Sequence, residues 1–235
     1  MRYGEDGDVG TYLITGATGA IGAATAGLLH DAGHDVILTG RDAGRLDATA
    51  GRIGADRVRT LVLDLTDPGR IEPGLDGVEL PPLDGVVHSA GVVSLGNVAE
   101  LPPGAWVEQL PVNAAAPAEL TRLLLPSVRA ARGHVVFVNS GSGLRANPGW
   151  SAYAASKHAL RALADSLRAE EPEIRVTSVY PGRTASEMQR QVREHEGGEY
   201  DPSAFISPDT VAKVIVDALE TPRDAIVTDV SVRGN

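Results

Sequence analysis

Short apolar runs alternate with longer amphipathic segments along nearly the whole chain. Several of the short runs are apolar on consecutive residues, as in the stretch VVFV at Val135–Val138. Such runs suit strands that are buried on both faces of a parallel sheet. Strand and helix alternating this often imply right-handed crossovers between parallel strands. The sequence therefore predicts an α/β fold, a doubly wound parallel sheet of the Rossmann type with about seven strands and helices on both faces.

The predicted elements are spaced as in one domain. Strands are expected at Thr11–Thr15, Asp35–Thr39, Val58–Leu63, Gly85–Ser89, His134–Asn139, Arg175–Tyr180 and Ile226–Val230. Helices are expected at Ile21–Ala32, Ala43–Gly51, Ala105–Ala130, Ser151–Glu170, Ser186–Glu196 and Pro208–Glu220. The Pro- and Gly-rich stretch Thr66–Asp84 lies between two predicted strands, so we interpret it as an eroded helical crossover rather than a linker. We expect a single domain over residues 1–235, with residues 1–9 as a loose tail.

Composition excludes several classes of function. The net charge of −10 disfavours nucleic acid as a partner, because an acidic surface repels phosphate backbones. The chain has no cysteine, which rules out disulfides and cysteine-based zinc sites, and we expect no metal site. The first ten residues lack the apolar run of a signal peptide. No stretch approaches the roughly 18 consecutive apolar residues of a membrane span. We therefore expect no membrane segment and a cytoplasmic location.

A glycine-rich turn follows the first predicted strand. The residues TGATGAIG run from Thr15 to Gly22. Such a turn between a strand and a helix brings backbone N–H groups and the helix dipole close to a pyrophosphate. Gly16 is expected to permit the tight turn, Gly19 the close approach of the phosphates, and Gly22 the contact between helix and strand. The alternative is a turn with only a packing role, because this spacing alone is a weak signal.

The second predicted strand ends in glycine where a carboxylate usually binds the adenosine ribose. Gly40 holds that position, and Arg41 follows it. A guanidinium can pair with the 2′-phosphate of NADP(H), whereas a carboxylate would repel it. The sequence therefore predicts NADP(H) as the cofactor, with Arg45 and Thr18 as candidate assistants. The alternative is a surface arginine without a partner.

Tyr153 and Lys157 lie four residues apart at the start of a predicted helix. They therefore project from one helical face. A nearby ammonium lowers the pKa of a phenol, which would make Tyr153 a general acid near neutral pH. Ser140 and Ser142 follow a predicted buried strand, at the end of the sheet where ligands bind. Each pair taken alone is also common on ordinary helices and loops.

Together these motifs resemble those of the short-chain dehydrogenase/reductase family. The resemblance covers roughly Val9–Val232, nearly the whole chain. The motifs that carry it are TGATGAIG, HSAG at His88–Gly91, Asn113 in PVNAAAP, Ser140, YAASK at Tyr153–Lys157 and PG at Pro181–Gly182. Ser140 lies thirteen residues before Tyr153, which is the family spacing, whereas Ser142 does not fit it. The resemblance implies an oxidoreductase that transfers a hydride between NADP(H) and a small carbonyl or alcohol substrate.

The resemblance also implies roles for individual residues. Tyr153 would exchange a proton with the substrate oxygen, and Ser140 would orient the substrate carbonyl. Lys157 would bind the nicotinamide ribose and lower the pKa of the tyrosine, and Asn113 would hold a water that links Lys157 to solvent. Asp64 would contact the adenine edge. The implied cofactor shell consists of Gly16, Thr18, Gly19, Ala20, Ile21, Gly22, Arg41, Asp64, Leu65, Ala90, Gly91, Tyr153, Lys157, Pro181, Gly182 and Thr184.

The chain departs from the family pattern at a few positions. Ala20 stands where the single-domain branch has glycine, so that the turn reads TGxxGxxG. The family motif NNAG appears as HSAG, in which Ser89 replaces an amide that braces the central strand, and we expect His88 to be a packed strand residue. The residues proposed for an apolar pocket wall, with core packing as the alternative, are Leu144, Pro148, Trp150, Met188 and Phe205.

Two other functions stay open on the sequence. One is an NADP(H)-binding regulator without turnover, although such relatives usually lose the tyrosine or the lysine that this chain keeps. The other is a nucleotide-sugar epimerase or dehydratase, which the turn spacing suggests. Those enzymes usually carry a larger C-terminal domain, whereas about fifty residues follow Pro181 here. Because the family pairs two helices that are rich in small residues across subunits, we expect a homodimer or homotetramer.

Overall fold

Seven parallel strands form the central sheet. The computed structural model describes residues 9–235, so the predicted tail lies outside the described residues except for the exposed Val9. The strands are β1 (Thr11–Thr15), β2 (Asp35–Gly40), β3 (Val58–Val62), β4 (Gly85–His88), β5 (His134–Val138), β6 (Arg175–Pro181) and β7 (Asp229–Val232). Their order is β3-β2-β1-β4-β5-β6-β7, so the winding direction reverses between β1 and β4. This confirms the predicted doubly wound parallel sheet.

Helices cover both faces of the sheet. They are α1 (Ala20–Asp31), α2 (Ala43–Ile53), α3 (Ile71–Gly74), α4 (Pro103–Leu110), α5 (Ala116–Ala131), α6 (Ser151–Glu170), α7 (Glu187–His195) and α8 (Pro208–Leu219). Alternate residues of a strand point to opposite faces. Leu13 therefore packs with residues of α5 and α6, whereas Ile14 packs with residues of α1 and α8. None of the helices in residues 9–235 has both the length and the apolar character needed to cross a bilayer.

The last strand is displaced from its predicted position. We expected Ile226–Val230, but β7 is Asp229–Val232 and pairs only with the second half of β6. The carbonyl group of Val227 accepts a hydrogen bond from the Thr177 side chain instead of a ladder bond. The apolar residues before Asp229 therefore have the composition of a strand but do not form one. Most other predicted element boundaries lie within one or two residues of the observed ones.

The long helix predicted at Ala105–Ala130 is interrupted. It consists of α4, a π-helical segment at Pro111–Ala115, and α5, so Asn113 lies in the π-helical segment. Proline lacks an N–H group and clashes with the preceding turn, which favours an altered hydrogen-bond pattern at Pro111. The sequence pattern showed one helix because its apolar periodicity continues across this segment.

The stretch Thr66–Asp84 contains little regular structure. A 3₁₀ turn at Pro68–Arg70 leads into α3, which has only four residues. Ile71 is nevertheless fully buried in the core on the α5 side of the sheet. The stretch thus covers part of that face, as expected for an eroded helical crossover.

Gly22 and Gly27 both lie in α1 but in different surroundings. A Cβ on Gly22 would lie 2.4 Å from the carbonyl oxygen of Gly16, so Gly22 packs on the glycine turn itself rather than on the strand as predicted. A Cβ on Gly27 would meet nothing within 4 Å. We expect Gly22→Ala to lower the free energy of unfolding by about 1–3 kcal/mol through overpacking. Gly27→Ala should raise it by about 0.5–1 kcal/mol, because alanine favours a helix. Urea unfolding measures both, and equal effects would contradict the tight contact.

Candidate active site

The carboxyl ends of the central strands open into one cavity. It has a volume of about 310 Å³ and is lined from β4, β5 and β6, next to the point where the winding direction reverses. Ligands usually bind at this place in a doubly wound sheet. Eight of the predicted site residues line the cavity: Ile21, Gly91, Ser140, Tyr153, Lys157, Pro181, Gly182 and Thr184.

The turn between β1 and α1 has the properties of an anion site. Gly16 has φ +62°, a left-handed conformation, and a Cβ there would lie 2.8 Å from the backbone of Ala90. Only glycine fits at this position without displacing β4. Gly19 precedes the first helical residue, Ala20, and among the described residues no side chain caps the helix. The first N–H groups of α1 and the positive end of its dipole are therefore available to a phosphate.

Thr15 braces the ends of β1 and β4 against each other. Its buried Oγ1 accepts hydrogen bonds from the N–H groups of Ser89 at 3.1 Å and Ala90 at 3.2 Å. This contact fixes the strand end where the family has an additional amide and this chain has Ser89. Sequence reasoning missed Thr15, whose only signal was a hydroxyl at the last position of a buried strand.

His88 is a packed residue of β4. It is 2% exposed, its ring stacks on Phe137 with centroids 5.0 Å apart, and its Nε2 lies 2.9 Å from Thr121 Oγ1. Burial lowers the pKa of His88 to about 3, so the ring is neutral. These observations agree with the predicted packing role.

Helix α6 and the end of β5 bring three of the four predicted catalytic side chains together. Tyr153 and Lys157 lie one turn apart on α6, and both are buried. The Nζ of Lys157 lies 5.8 Å from the centroid of the Tyr153 ring and donates to the Val138 carbonyl at 3.0 Å. Ser140 follows β5, and its side chain lies close enough to Tyr153 to affect the pKa of the phenol. Its Oγ accepts a hydrogen bond from the Ser142 N–H at 3.1 Å.

Burial governs the ionisation of Tyr153 and Lys157. It raises the pKa of Tyr153 above its ordinary value, and the nearby Ser140 side chain acts in the opposite direction. Burial also lowers the pKa of Lys157 to about 8. Burial therefore outweighs any effect of the nearby ammonium on the phenol, and the lowering of the Tyr153 pKa by Lys157 stays a prediction. Tyr153 is protonated near neutral pH and has a proton to donate.

The side chain of Asn113 holds the loop after β4. Its Oδ1 accepts a hydrogen bond from the Val92 N–H at 2.8 Å. Its Nδ2 donates to the Val92 carbonyl and to Ser156 Oγ, each at 2.9 Å. Because the side chain of Asn113 is engaged in these bonds, a water between Asn113 and Lys157 would be held by the main chain of the π-helical segment. This water link stays a prediction.

Asn139 ties the loop of Ser140 to the helix that carries Tyr153 and Lys157. Its Oδ1 accepts a hydrogen bond from the Ser140 N–H at 2.8 Å, and its Nδ2 donates to the Lys157 carbonyl at 3.1 Å. Asn139 is 4% exposed, and a Cβ on Gly143 would lie 2.3 Å from its Oδ1. Sequence reasoning missed this residue, although an amide between a buried strand and the candidate serine was a signal.

Arg41 and Asp64 lie beyond the carboxyl ends of β2 and β3. Both are exposed. Two hydrogen bonds from Thr66 lower the pKa of Asp64, and the charge of Arg41 adds to this effect. The side chain of Leu65 belongs to the hydrophobic core, so only its main chain can face a ligand.

The carboxylate nearest to Arg41 in sequence is engaged elsewhere. Asp42 caps α2 by accepting a hydrogen bond from the Arg45 N–H at 3.0 Å. The guanidinium of Arg45 lies 3.4 Å from the Thr18 carbonyl, which links α2 to the glycine turn. The end of β2 is thus flanked by two guanidinium groups, with its adjacent carboxylate occupied as a helix cap.

The segment after β6 forms the opposite side of the cavity. The Gly182 N–H donates to the Val232 carbonyl at 2.7 Å, and Thr184 Oγ1 donates to the Gly182 carbonyl at 3.1 Å. These bonds hold Pro181, Gly182 and Thr184 beside the cavity, where the resemblance predicted them.

The remaining wall is more polar than predicted. Trp150 and Met188 line the cavity, but Leu144, Pro148 and Phe205 do not. Phe205 stacks on Tyr200 instead. Besides the predicted site residues, the polar residues that line the cavity are Ser89, Asn139, Ser142, Asn147, Arg183, Ser186 and Gln189.

These features fit a dinucleotide laid across the carboxyl edge of the sheet. The uncapped start of α1 would hold the pyrophosphate, and Arg41 would lie at the adenosine end. At the other end, a Cβ on Gly91 would lie 3.2 Å from Asn113 Oδ1 and 3.7 Å from Lys157 Nζ. Glycine at this position therefore leaves room for a ligand to approach Lys157. The arrangement can therefore bind a nucleotide next to a buried proton donor, Tyr153.

Comparisons with known proteins agree with this geometry. A family model described as short chain dehydrogenase matches residues 11–197. The dehydrogenase/reductase SDR family member 7B of Bos taurus is 32% identical over 236 residues, which cover 92% of this chain and 73% of that protein. A short-chain dehydrogenase of Shigella flexneri, solved in complex with NADP, superposes with a TM-score of 0.85 at 27% identity over 94% of this chain and 95% of its own. One from Escherichia coli, solved with NADPH, has a TM-score of 0.86 at 27% identity over 95% of this chain and 96% of its own.

The two hydrogen bonds of Asn139 predict a measurable stabilisation. Asn139→Ala leaves the Ser140 N–H and the Lys157 carbonyl without these partners, and a buried unpaired group costs about 1–3 kcal/mol. We expect the free energy of unfolding to fall by about this amount in urea titrations. Asn147→Ala, at an exposed position of the following loop, is the control and should change it by less than about 0.5 kcal/mol. Wild-type stability of Asn139→Ala would contradict the bracing role.

Proposed function

Because the chain belongs to the short-chain dehydrogenase family, we propose that it is an NADP(H)-dependent oxidoreductase that transfers a hydride between nicotinamide and a carbonyl or alcohol carbon. The observation that carries this proposal is the grouping of buried Tyr153 and Lys157 with Ser140 in one cavity beside the glycine turn. The direct test follows NADPH oxidation with a panel of ketones and aldehydes, and NADP⁺ reduction with alcohols. Absence of turnover over both panels would contradict the proposal and favour a regulator that only binds the nucleotide.

Tyr153 is the acid in the direction of reduction. The bound cofactor supplies the hydride that the carbonyl carbon accepts. Ser140 would donate a hydrogen bond to the carbonyl oxygen and orient it. As negative charge develops on that oxygen, Tyr153 transfers its phenolic proton to it, and the product leaves as an alcohol. Lys157, fixed by the Val138 carbonyl, stabilises the tyrosinate that remains, and oxidation follows the same steps in reverse.

The choice of NADP(H) rests on the end of β2. Gly40 offers no carboxylate to the ribose, and the charge of Arg41 acts at the neighbouring Asp64. Two solved relatives at 27% identity were obtained with NADP and NADPH, which supports the same cofactor here. The adenine would lie beside Asp64, and the nicotinamide would lie near Lys157 and Thr184.

Tyr153→Phe removes the phenolic hydroxyl and keeps the ring. Loss of a positioned general acid typically costs about 10²–10⁴ in rate. We expect turnover to collapse by that factor while NADPH binding, measured by nucleotide fluorescence, stays close to that of the wild type. The matched control is Tyr12→Phe, a buried tyrosine near the start of β1, at the opposite end of the sheet. Retention of more than about a third of the wild-type turnover by Tyr153→Phe would remove Tyr153 from the mechanism.

Arg41→Ala tests the cofactor choice. A charge-assisted hydrogen bond contributes about 1.5–3 kcal/mol, or roughly tenfold to a hundredfold in affinity. We expect the wild type to prefer NADPH over NADH by at least about tenfold in kcat/KM, and Arg41→Ala to lose most of this preference by weakening NADPH. The control is Arg59→Ala, at an exposed position near the start of β3. Equal use of both cofactors by the wild type would overturn the assignment, and a preference untouched by Arg41→Ala would locate the phosphate site elsewhere.

Small residues of α6 and the preceding helices divide into two groups. Ala154 and Ala164 are buried within the protomer, whereas Ala115, Ala159 and Ala162 are exposed. We propose that the exposed alanines belong to a two-fold contact between copies, because small side chains allow close helix approach. Light scattering at micromolar concentration should give the mass of a dimer or tetramer, and Ala159→Arg should lower it. A monomeric wild type would contradict this assembly.

A further inference from the structure

One polar side chain in the cavity wall is left without a partner. Gln189 lines the cavity and is 6% exposed, and its Nε2 has no hydrogen-bond partner among the described residues. The other buried amide side chains of residues 9–235 are all engaged, since Gln109, Asn113 and Asn139 each bond to main-chain groups. Because buried polar groups are nearly always paired, an exception in a cavity wall points to a ligand.

Helix α7 holds Gln189 in a defined position. Gln189 lies in its first turn, where its N–H donates to the capping Ser186 Oγ at 3.1 Å. Val192, one turn further, is buried and lines the same cavity. Near the end of the helix, Glu196 pairs with Arg183 and with Arg193. The amide is therefore part of an anchored wall.

Packing alone does not explain a glutamine at this position. Val192 shows that an apolar side chain suits this face of α7, and leucine would fill a similar volume without burying an amide. An unpaired buried donor destabilises the fold, because it loses its hydrogen bonds to water and gains none in return. The arrangement becomes favourable when a bound molecule supplies the missing partner.

The charges in the cavity indicate what kind of molecule this is. Lys157 and Arg183 are the charged residues that line it. Lys157 donates to the Val138 carbonyl beside Tyr153, and Arg183 forms ion-paired hydrogen bonds to Glu196 through both terminal nitrogens. The charge of Arg183 is thus balanced by Glu196, and the proposed function assigns Lys157 to Tyr153 and the cofactor ribose. The polar wall suits a neutral molecule with hydrogen-bonding oxygens.

We propose that Gln189 binds a second oxygen of the substrate, and that the substrate class is an uncharged carbonyl or alcohol compound with a hydroxyl, ether or further carbonyl oxygen close to the reacting carbon. This inference rests on the proposed function, which assigns the reacting oxygen to Tyr153 and Ser140 in the same cavity. The nicotinamide would share this cavity of about 310 Å³, so the space left beside Tyr153 and Gln189 suits a compact substrate. Gln189 is thus a specificity-determining residue, and the proton transfer does not depend on it.

The test compares two matched substitutions on α7. Gln189→Leu removes the amide, and Gln191→Leu makes the same change at an exposed position two residues further along the helix. The substrates are two ketone pairs that differ by one hydroxyl group, butan-2-one with 3-hydroxybutan-2-one and cyclohexanone with 2-hydroxycyclohexanone. For each enzyme, kcat and KM are measured with NADPH, together with the melting temperature and the affinity for NADPH.

The wild type should favour the hydroxyketones by at least about tenfold in kcat/KM, because a site built to bond a hydroxyl rejects the analogue that lacks it. Gln189→Leu should lose most of this advantage, because its KM for the hydroxyketones should rise. Its kcat/KM for the plain ketones should stay within about threefold of wild type. Its melting temperature should not fall. Gln191→Leu should change none of these values, and Gln189→Asn should retain part of the advantage.

Three results separate the failure of this inference from that of the proposed function. If the wild type reduces ketones but does not favour the hydroxyketones, or if Gln189→Leu keeps that preference, the role of Gln189 is overturned. The proposed oxidoreductase activity would stand in both cases. A lowered melting temperature with equal loss for both members of a pair would show a structural amide and likewise overturn the role of Gln189. Absence of NADPH oxidation with every carbonyl compound would overturn the proposed function and this inference together.

Discussion

The site depends on the point where the winding direction of the sheet reverses, between β1 and β4. Parallel strands β1 and β4 lie side by side, but the segments that leave them go to opposite faces of the sheet. The Thr15 hydroxyl holds this point together through the Ser89 and Ala90 N–H groups. Gly16 then fits against Ala90 at a distance that no side chain allows. The nucleotide turn and the end of β4 are therefore positioned by one buried oxygen and one missing Cβ.

Burial acts on Tyr153, the proposed proton donor, more strongly than its neighbouring charge does. Tyr153 and Lys157 share one face of α6, and a low-dielectric environment disfavours the charged form of each. Burial therefore raises the pKa of the phenol and lowers that of the ammonium, so the two pKa values, which are nearly equal in water, move apart. Burial thus favours the uncharged phenol, which is the form that can donate a proton. The size of both pKa shifts depends on how tightly Ser140 and the end of β5 pack against α6.

Local patterns predicted most of the fold, and long-range contacts account for what was missed. Helix α6 was predicted at its observed bounds because its amphipathic pattern is unbroken. Strand β7 was misplaced because an edge strand is only half-buried and its register depends on β6. Thr15 and Asn139 escaped notice because their partners are distant in sequence, which no local pattern reveals. The direction of the Tyr153 pKa shift depends on burial, which only the folded chain defines.

The groups proposed for proton transfer and the proposed substrate wall belong to different parts of the chain. Tyr153, Lys157 and Ser140 are fixed by β5 and α6 in the centre of the fold, whereas Gln189 and Val192 come from α7 after the sixth strand. Evolution can therefore alter the inward face of α7 with little effect on the chemistry. Descendants of such a gene could acquire new substrates by a few substitutions in one short helix, while the same buried tyrosine continues to serve each of them.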